Sequence, residues 1–245
     1  TAIIIPARYK SSRFPGKPLK KIFDKEMIIW VSEQCGKVFG KDSVYIATDD
    51  QKISNKVKKY GFKAVFTSKK CLTGTDRVAE ASRKIKSKIY INVQGDEPLI
   101  KPMDIKRIIN AKKKYPNYVI CGYTEILKNE KPLDKNIPKV VLNNKNELVY
   151  ISRSLVPGSK KNPIKKFKYL KQVCIYAFNK EELKLFNQYK KKSNIEKVED
   201  IEILRFFELN KKIKMVKTST GSIAVDRKID IKKVEKIIKK NEKKN

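Results

Sequence analysis

The sequence predicts one α/β domain, a three-layer αβα structure around a mixed, mainly parallel sheet, with a small antiparallel part. First, short β-branched runs alternate with segments of helical apolar spacing through the first hundred residues, an order typical of parallel sheets. Second, an Asn-rich turn separates two apolar runs, at 139–142 and 148–151, which predicts an antiparallel hairpin. Third, 245 residues with 40% hydrophobic content can bury one large core.

The first half of the chain carries four predicted strands and three predicted helices. The strands are expected at residues 3–5, 43–47, 62–66 and 89–93. The helices are expected at 27–38, from Asp49 or Asp50 to about Lys59, and from about Val78 to Ile85. An Asp at 49 or 50 is a good N-cap, Gly61 is suited to end that helix, and Thr75 is the candidate cap of the next.

The second half begins with a predicted helix at 102–114 and a predicted strand at 118–123, before the hairpin. Residues 158–167 are rich in Lys, Pro and Asn and predict a loop. A strand is expected at 172–178, followed by a helix that Asn179 caps, with Glu182 three residues later. One helix is expected at 198–209, where Glu199 and Glu202 occupy adjoining positions of one face. The last elements are expected to be strands at 213–216 and 223–225 and an amphipathic helix from residue 231.

The residue types present exclude several kinds of chemistry. The chain has no histidine, so imidazole bases, His-containing triads and His metal sites are excluded, and proton transfer falls to carboxylate, Lys, Tyr, Cys or a metal-bound species. The cysteines at 35, 71, 121 and 174 form no CxxC pair, which indicates neither a disulfide framework nor a structural zinc site. We expect reduced thiols in a cytoplasmic protein.

Charge and hydropathy bear on the partners of the chain. No run approaches the roughly 20 apolar residues of a membrane span, and Pro6 and Arg8 fall where a signal peptide keeps its apolar core. The formal net charge of +33 would favour nucleic acid, but lysines are scattered over every predicted helix and there is no arginine-rich arm. We predict no membrane and no nucleic acid as partner, and keep a basic nucleic-acid-binding protein as the alternative of a different class.

The strand at 3–5 opens into a loop that carries two Arg, two Lys, two Ser and one Gly. Arginine supplies only eight of the 59 basic residues, yet Arg8 and Arg13 both fall in this loop. Guanidinium forks and hydroxyls bind phosphate oxygens, and ligands of α/β proteins bind beyond the carboxyl ends of strands. The loop therefore predicts a polyphosphate site, although it contains neither GxxxxGK[ST] nor GxGxxG.

Carboxylates follow two further strands. Asp96 comes after the strand at 89–93 in the sequence Gln-Gly-Asp-Glu, and Asp226 comes after the strand at 223–225. At this edge a carboxylate can hold a hard divalent cation against phosphates, with an ordinary turn as the alternative for the Asp-Glu pair. Arg77 is another isolated arginine on the expected ligand side, and Arg153, after the hairpin, is suited to a substrate carboxylate.

Together these segments resemble the 3-deoxy-manno-octulosonate (KDO) cytidylyltransferases, also called CMP-KDO synthetases, over nearly the whole chain. The motifs that carry the resemblance are IPARYKSSRFPGKPL at 5–19, TDD at 48–50, TGTDR at 73–77, NVQGDEP at 92–98, KVVL and YISRS within 139–154, VCIYAF at 173–178, EDIEILR at 199–205 and AVD at 224–226. The first motif is the most specific, and the order and spacing of the others argue against chance agreement.

The resemblance implies a fold like that of the nucleotide-diphospho-sugar transferases, with the antiparallel part forming a homodimer. It implies a mainly CTP-binding half at 1–100, a mainly sugar-binding and dimerisation half at 101–226, and a C-terminal helix at 227–245. The implied reaction is attack of the anomeric 2-hydroxyl of KDO on the α-phosphorus of CTP, giving CMP-KDO and pyrophosphate for lipopolysaccharide biosynthesis, with Mg²⁺ as cofactor. Such a displacement needs positioning, metal and cations more than a covalent nucleophile.

The resemblance also implies roles for single residues. Catalytic roles are implied for Lys17, Arg13 and Asp96, with Lys17 stabilising charge on the α-phosphate. Nucleotide contacts are implied for Arg8, Ser11, Arg13, Lys17, Thr75, Arg77 and Gln94, with Arg77 and its turn recognising the cytosine. Magnesium is implied at Asp96 and Asp226, and the sugar acid at Glu97, Arg153, Gln172, Tyr176 and Glu202.

Three residues depart from the family pattern, all on the sugar side. Gln172 stands where the family usually has His, Cys174 where it commonly has Gly, and Ile203 where it usually has Gln. The sugar is therefore expected to be KDO held by altered contacts, or a relative such as 8-amino-KDO. A sialic-, legionaminic- or pseudaminic-type cytidylyltransferase is the other enzyme alternative, but its phosphate loop is not expected to have the SSRFPGKPL form.

Overall fold

A nine-stranded sheet with helices on both faces organises the residues that the computed structural model describes, namely 1–10, 14–128, 130–160, 167–219 and 223–242. The strands are β1 Ala2–Ala7, β2 Lys21–Ile22, β3 Lys25–Glu26, β4 Val44–Thr48, β5 Lys63–Phe66, β6 Tyr90–Val93, β7 Val119–Glu125, β8 Lys139–Leu142, β9 Leu148–Ser152, β10 Leu170–Phe178 and β11 Ile213–Lys217. The helices are α1 Met27–Phe39, α2 Gln51–Lys59, α3 Gly74–Ser82, α4 Pro102–Lys114, α5 Lys180–Gln188, α6 Asn194–Glu199, α7 Leu204–Glu208 and α8 Lys228–Glu242.

The strand order confirms the predicted mixed, mainly parallel sheet. Seven strands follow the order β11-β7-β10-β6-β1-β4-β5, and β10 alone is antiparallel to its neighbours. The predicted hairpin forms as β8 and β9, which extend the sheet from the start of β10. The strands β2 and β3 make a separate antiparallel pair. None of the described helices is both long and apolar enough to cross a bilayer.

Side chains of β1 point alternately into two cores, as the two-residue period of a strand requires. Ile4 packs in one core with Val78 of α3 and Phe206 of α7. Ile3 packs in the other core, which includes Ile28 of α1 and further side chains of α2 and α4. Helices therefore cover both faces of the sheet, which confirms the three-layer αβα architecture.

The carboxyl ends of β1, β4 and β6 lie side by side at one edge of the sheet. β1 runs parallel to both neighbours, and Ala7 lies opposite Thr48 at the end of β4. The chain leaving these three strands continues to Arg8, Asp49 and Gln94 respectively. Because connections after parallel strands meet at one edge, the segments predicted to bind ligands are brought together here.

Two predicted helix starts are confirmed by their caps. The Asp50 carboxylate accepts hydrogen bonds from the backbone N–H groups of Lys52 and Ile53, 2.8 and 3.2 Å away, at the start of α2. Asn179 and Glu182 form a capping box at the start of α5. Each cap satisfies backbone donors that have no partner within the helix. The short-range sequence patterns were therefore sufficient to predict where these two helices start.

The start predicted for α3 was wrong. This helix begins at Gly74 rather than near Val78, and Thr75 lies inside its first turn rather than at the cap. Thr73 is the cap, since its hydroxyl accepts a hydrogen bond from the Asp76 N–H at 3.1 Å, while the Asp76 carboxylate accepts one from the Thr73 N–H at 2.9 Å. The reciprocal capping box starts the helix early.

The single helix predicted at 198–209 was also wrong, because the chain forms α6 and α7 with a break between them. Asp200 adopts a left-handed conformation with φ 50°, and α6 ends before it. The Arg153 side chain donates to the carbonyl oxygens of Glu199 and Asp200, at 2.6 and 3.0 Å, and satisfies the end of the helix. Glu199 and Glu202 therefore do not share a helix face.

The strand predicted at 223–225 does not form. Its residues run alongside the turn after β6, where the Val225 N–H donates to the carbonyl oxygen of Asp96 at 2.9 Å. The last helix begins at Lys228 rather than residue 231, because the Asp230 carboxylate accepts from the Arg227 N–H at 3.0 Å and caps the first turn.

Arg205 of α7 is fully buried and links this helix to three others. Its Nη1 lies 2.7 Å from Asp76 Oδ1 on α3, and its Nε lies 2.7 Å from Glu196 Oε2 on α6. Its guanidinium carbon lies 3.8 Å from the centroid of the Phe186 ring on α5. A guanidinium that meets two carboxylates in this way offsets part of their negative charge and donates charge-assisted hydrogen bonds to both.

Replacing Arg205 with methionine leaves the carboxylates of Asp76 and Glu196 buried without a counter-charge. We expect a loss of about 3–5 kcal/mol in the free energy of unfolding, measured by urea denaturation. The exposed Arg107, which pairs with Asp104 one turn away on α4, is the matched control, and Arg107→Met should cost about 1 kcal/mol or less. Equal losses in the two variants would show that the buried network does not stabilise the fold.

Candidate functional site

A cavity of about 210 Å³ opens at the edge where β1 and β6 end. Its walls come from residues 6–8 at the end of β1, 94–96 after β6, and 71–74 at the start of α3, together with Lys17 and Asp226. This is the edge at which the sequence predicted a phosphate site. The predicted residues that line the cavity are Arg8, Lys17, Arg77, Gln94, Asp96 and Asp226.

Lys17 lies between two carboxylates in this cavity. Its Nζ is 2.6 Å from Asp96 Oδ2 and 3.4 Å from Asp226 Oδ1. Gly16 precedes it with φ 67°, a left-handed conformation that glycine adopts without strain, and so turns the chain toward the cavity. The backbone hydrogen bond from Val225 to Asp96 brings Asp226 beside Asp96. The structure thus brings together three residues that the sequence singled out separately.

Asp96 and Asp226 are the two carboxylates on the cavity that could take part in holding a divalent cation. Within the described ranges, no group of three His, Cys, Asp or Glu side chains has a spacing that could hold a metal ion. Magnesium, however, is usually held by one or two carboxylates together with substrate phosphates and water, rather than by a cage built from protein alone. Two aspartates on a cavity that also contains cationic side chains fit that kind of site.

The cationic loop after β1 is described in part. Arg8 is exposed and lines the cavity, as predicted for a phosphate contact. Ser11 and Arg13, which the sequence also assigned to the phosphates, lie outside the described residues. Residues 161–166 of the predicted loop at 158–167 lie outside them as well.

Arg77 lines the cavity from α3, although its side chain is almost fully buried. Its Nη1 donates to the hydroxyl oxygen of Thr67 at 2.6 Å, and its Nη2 lies 3.4 Å from Asp49 Oδ2. The other carboxylate oxygen, Asp49 Oδ1, is buried and has no hydrogen-bond partner among the described residues. These contacts fix the guanidinium in one orientation at the cavity wall.

Glu202 joins the end of β6 to the start of α3. Its Oε1 accepts from the Gln94 amide at 2.8 Å, and its Oε2 accepts from the Thr75 backbone N–H at 2.9 Å. Burial raises the pKa of the Glu202 carboxyl, and the hydrogen bonds from Thr75 partly oppose that rise. A Cβ at Gly74 would lie 2.9 Å from the Gln94 side chain, so glycine permits this close approach.

Two buried polar side chains, Gln172 and Tyr176, form a hydrogen-bonded pair on β10. The Gln172 amide donates to the Tyr176 hydroxyl oxygen at 3.1 Å and to the Cys121 sulfur at 3.6 Å. Tyr176 is 2% exposed, and burial raises its pKa well above the usual range. It is therefore a neutral hydroxyl that can donate one hydrogen bond while it accepts the bond from Gln172. Register places Tyr176 opposite Asn92 of β6, one strand away from the cavity wall.

Glu97 and Arg153, the remaining predicted sugar contacts, occupy different surroundings. Glu97 is buried in the turn after β6, and its negative charge adds to burial in raising the pKa of Cys174 on β10. The Arg153 guanidinium donates to backbone carbonyl oxygens of Glu199, Asp200 and Lys135 and does not line the cavity. Its contact with a substrate carboxylate stays a prediction.

Sequence reasoning did not identify Cys71 and Leu72 as cavity-lining residues, nor Thr67 as the partner of Arg77. Cys71 and Leu72 directly precede Thr73, so the capping-box pattern could have placed them at the cavity. Asp49 follows β4 at the same edge as Arg8, but a role for it was hidden because its neighbour Asp50 accounts for the helix cap. No sequence pattern around Thr67 indicates that it contacts Arg77.

Replacing Glu202 with glutamine removes a carboxyl whose pKa is raised in the folded chain. Above the usual carboxyl pKa of 4.5, Glu202 is ionised in the unfolded chain, whereas burial penalises its ionised form in the folded chain. The free energy of unfolding therefore falls as the pH rises from about 4.5 through the raised pKa of the folded chain. We expect unfolding free energies, measured with urea from about pH 4.5 to 7.5, to fall less steeply in Glu202→Gln than in the wild type. Glu181→Gln, exposed on α5, is the control. An unchanged slope in Glu202→Gln would contradict the assignment.

Comparison with known proteins identifies the relatives of this chain. A sequence model described as Cytidylyltransferase matches residues 2–213. The 3-deoxy-manno-octulosonate cytidylyltransferase of Escherichia coli is 35% identical over 232 residues, which cover 95% of this chain and 93% of the relative. The 8-amino-3,8-dideoxy-manno-octulosonate cytidylyltransferase of Shewanella frigidimarina is 37% identical over 240 residues, covering 95% and 96%. A solved structure described as CMP:2-keto-3-deoxy-manno-octonic acid synthetase complexed with CTP has a TM-score of 0.89 and 35% identity, and 98% of each chain is covered. The predicted resemblance is confirmed.

Proposed function

The chain belongs to the cytidylyltransferase family, and we propose that it transfers CMP from CTP to the anomeric 2-hydroxyl of KDO with release of pyrophosphate. The observation that carries the proposal is the Lys17 ammonium, 2.6 Å from Asp96 and 3.4 Å from Asp226 in the cavity at the carboxyl edge of the sheet. The phosphates of a nucleoside triphosphate are stabilised by a cationic side chain. The divalent metal ion that accompanies them is held by carboxylates. Relatives whose names specify KDO support the choice of sugar.

The CTP phosphates are proposed to lie along the loop after β1. Arg8 and Lys17 line the cavity from this side, and Ser11 and Arg13 are assigned to the phosphates by the resemblance alone. Lys17 is the residue proposed to stabilise the charge that develops on the α-phosphate, because an oriented ammonium acts most strongly where negative charge builds up.

The nucleoside is proposed to lie against the start of α3. Arg77 and Gln94 line the cavity on this side, and Thr75 lies behind them, where its N–H is held by Glu202. The buried hydrogen bond between Arg77 and Thr67 supports the assignment, because a fixed donor array can distinguish one base from another more strongly than a mobile one.

Mg²⁺ is proposed as the cofactor, held by Asp96 and Asp226. When bound, it would neutralise phosphate charge and lower the pKa of a neighbouring sugar hydroxyl. The sugar 2-oxygen then forms a bond to the α-phosphorus as the bond to the bridging oxygen breaks, and the electron pair leaves with pyrophosphate. The hydroxyl proton passes to a carboxylate or to water, since the chain has no imidazole to accept it.

The sugar acid is proposed to lie toward β10, in contact with Glu97, Gln172, Tyr176 and Glu202, and with Arg153. Support comes from the chain of contacts that links the cavity to this region, since Glu202 bonds to the cavity residue Gln94. A second candidate is the same reaction on 8-amino-KDO. The Shewanella frigidimarina relative, whose name specifies that sugar, is as similar to this chain as the relatives named for KDO.

A homodimer is proposed through the β8–β9 hairpin. Val149 on β9 is 48% exposed, and Phe207 on α7 is 36% exposed. The ring of Tyr150 on β9 lies 6.3 Å from that of Phe207, so these two side chains form a partly apolar surface. Such a surface is suited to cover by a second copy of the chain.

We also propose how the chain is divided by role and in which compartment it acts. We assign residues 1–100 mainly to CTP and 101–226 mainly to the sugar and the dimer. The predicted C-terminal helix at 227–245 corresponds to α8, and residues 243–245 lie outside the described residues. The four cysteines are free thiols, which suits a reducing compartment such as the cytoplasm. There the product would supply lipopolysaccharide biosynthesis.

The proposed function is tested by pyrophosphate release with magnesium. CTP should be active with KDO or 8-amino-KDO and inactive with N-acetylneuraminic acid, and ATP, GTP and UTP serve as nucleotide controls. Release of pyrophosphate with 8-amino-KDO alone would support the proposed reaction and identify 8-amino-KDO, in place of KDO, as the sugar substrate. No release with any acid, combined with tight and steeply salt-dependent binding to duplex DNA, would instead support the nucleic-acid alternative.

Replacing Lys17 with methionine should lower kcat by roughly 10²–10³, because one charge-stabilising donor is lost at the α-phosphate. Lys21→Met is the matched control, since Lys21 is exposed on β2 outside the cavity, and it should keep wild-type turnover. A Lys17→Met variant with wild-type kcat would refute the role proposed for this ammonium.

A further inference from the structure

The segment 67–73, between β5 and α3, contributes to two cavities, and Cys71 and Leu72 line both of them. We call this segment the wall. Cys71, Leu72 and Thr73 line the nucleotide cavity. A second cavity of about 250 Å³ is lined in part by Ser68, Cys71 and Leu72. A segment that borders two cavities lacks part of the packing that holds an ordinary loop, so its position depends on its hydrogen bonds.

Those hydrogen bonds come from side chains on the first two turns of α3. At one end of the segment, Arg77 donates to the Thr67 hydroxyl at 2.6 Å. At the other end, Asp76 forms the capping box with Thr73. Residues 76, 77 and 80 lie on neighbouring positions of one helix face, so Glu80 is aligned with these two anchors.

The middle of the segment is held by Glu80. Its Oε1 accepts from the Ser68 backbone N–H at 2.8 Å, and its Oε2 accepts from the Cys71 sulfur at 3.3 Å. The two donors, Ser68 and Cys71, lie at the ends of a turn in which the Cys71 N–H also donates to the Ser68 carbonyl oxygen. Both carboxylate oxygens are therefore used to fix the part of the wall between its anchored ends.

The protonation state of the thiol supports this arrangement. Burial, with the hydrogen bond to Glu80, raises the pKa of Cys71 to about 12. At neutral pH the thiol keeps its proton and remains a donor to the carboxylate. Glu80 itself lines the second cavity and not the nucleotide cavity, so it does not touch the nucleotide directly.

We propose that Glu80 is a positioning residue for CTP, which sets the place of the 67–73 wall and thereby the affinity of the nucleotide cavity. The inference rests on the proposed function, because that function assigns the cavity to CTP. It assigns to Glu80 an effect on nucleotide binding that is separate from the chemical step and from sugar binding.

The test compares steady-state kinetics of three variants. In Glu80→Ala the KM for CTP should rise about tenfold or more, while kcat at saturating CTP and the KM for KDO stay within about twofold, because only ground-state nucleotide contacts are misplaced. Glu80→Gln keeps an oxygen for the Ser68 N–H and an amide donor for the Cys71 sulfur, so its KM for CTP should stay within about threefold of the wild type. Arg83→Ala, which changes an exposed side chain of the second cavity, should leave all constants unchanged.

A second measurement does not depend on turnover. Alkylation of Cys71 by iodoacetamide, followed by mass spectrometry of its peptide, should be faster in Glu80→Ala than in the wild type, and CTP should slow it. An unchanged KM for CTP with unchanged alkylation would overturn the proposal, as would an equal rise in the KM of both substrates. If the wild type shows no turnover, the proposed function fails, and CTP titration calorimetry with the same variants then decides the role of Glu80 by itself.

Discussion

The buried contact between Arg205 and Asp76 is the constraint on which the site depends. Asp76 accepts hydrogen bonds from the Arg205 guanidinium and also from the Thr73 N–H that starts α3. One carboxylate therefore fixes both the position of this helix end and its packing against α7. Arg77 is the next residue on the helix. The position of the cavity wall therefore depends on the contact between Asp76 and Arg205, which are 129 residues apart in the chain.

Acidic residues are few in this chain, 26 against 59 basic ones, and the described ones are concentrated where a defined acceptor is needed. Helix starts at α2, α3, α5, α6 and α8 each have a capping carboxylate, supplied by Asp50, Asp76, Glu182, Glu196 and Asp230. Others compensate buried cations or occupy the cavity. Lysines are spread over loops, strands and helices, and among the described ones only Lys112, Lys139 and Lys171 are buried. The net charge therefore describes the surface and says little about the site.

The sequence was informative where the deciding interaction is short in range. Asp50, and Asn179 with Glu182, cap helices through neighbours two or three residues away, so their patterns could be recognised. The break at Asp200 could not, because the carbonyl oxygens there are bound by Arg153, which is remote in sequence. At the site, Asp96 follows β6 as the sequence predicts, whereas Asp226 lies beside it through the backbone hydrogen bond from Val225 to Asp96 and not at a strand end. The partners of Arg153 and Thr75 depend on packing between distant elements.

The place of β10 in the sheet bears on how the chain is made. β10 lies between β6 and β7, and it follows β6 by about 80 residues in the chain, so during synthesis β6 leaves the ribosome long before its partner. Until β10 arrives, the open edge of β6 presents unpaired backbone groups in a segment of apolar side chains, a template for pairing with other chains. We therefore expect this edge of the nascent chain to stay open to wrong pairing until β10, which is antiparallel to both of its neighbours, has been synthesised.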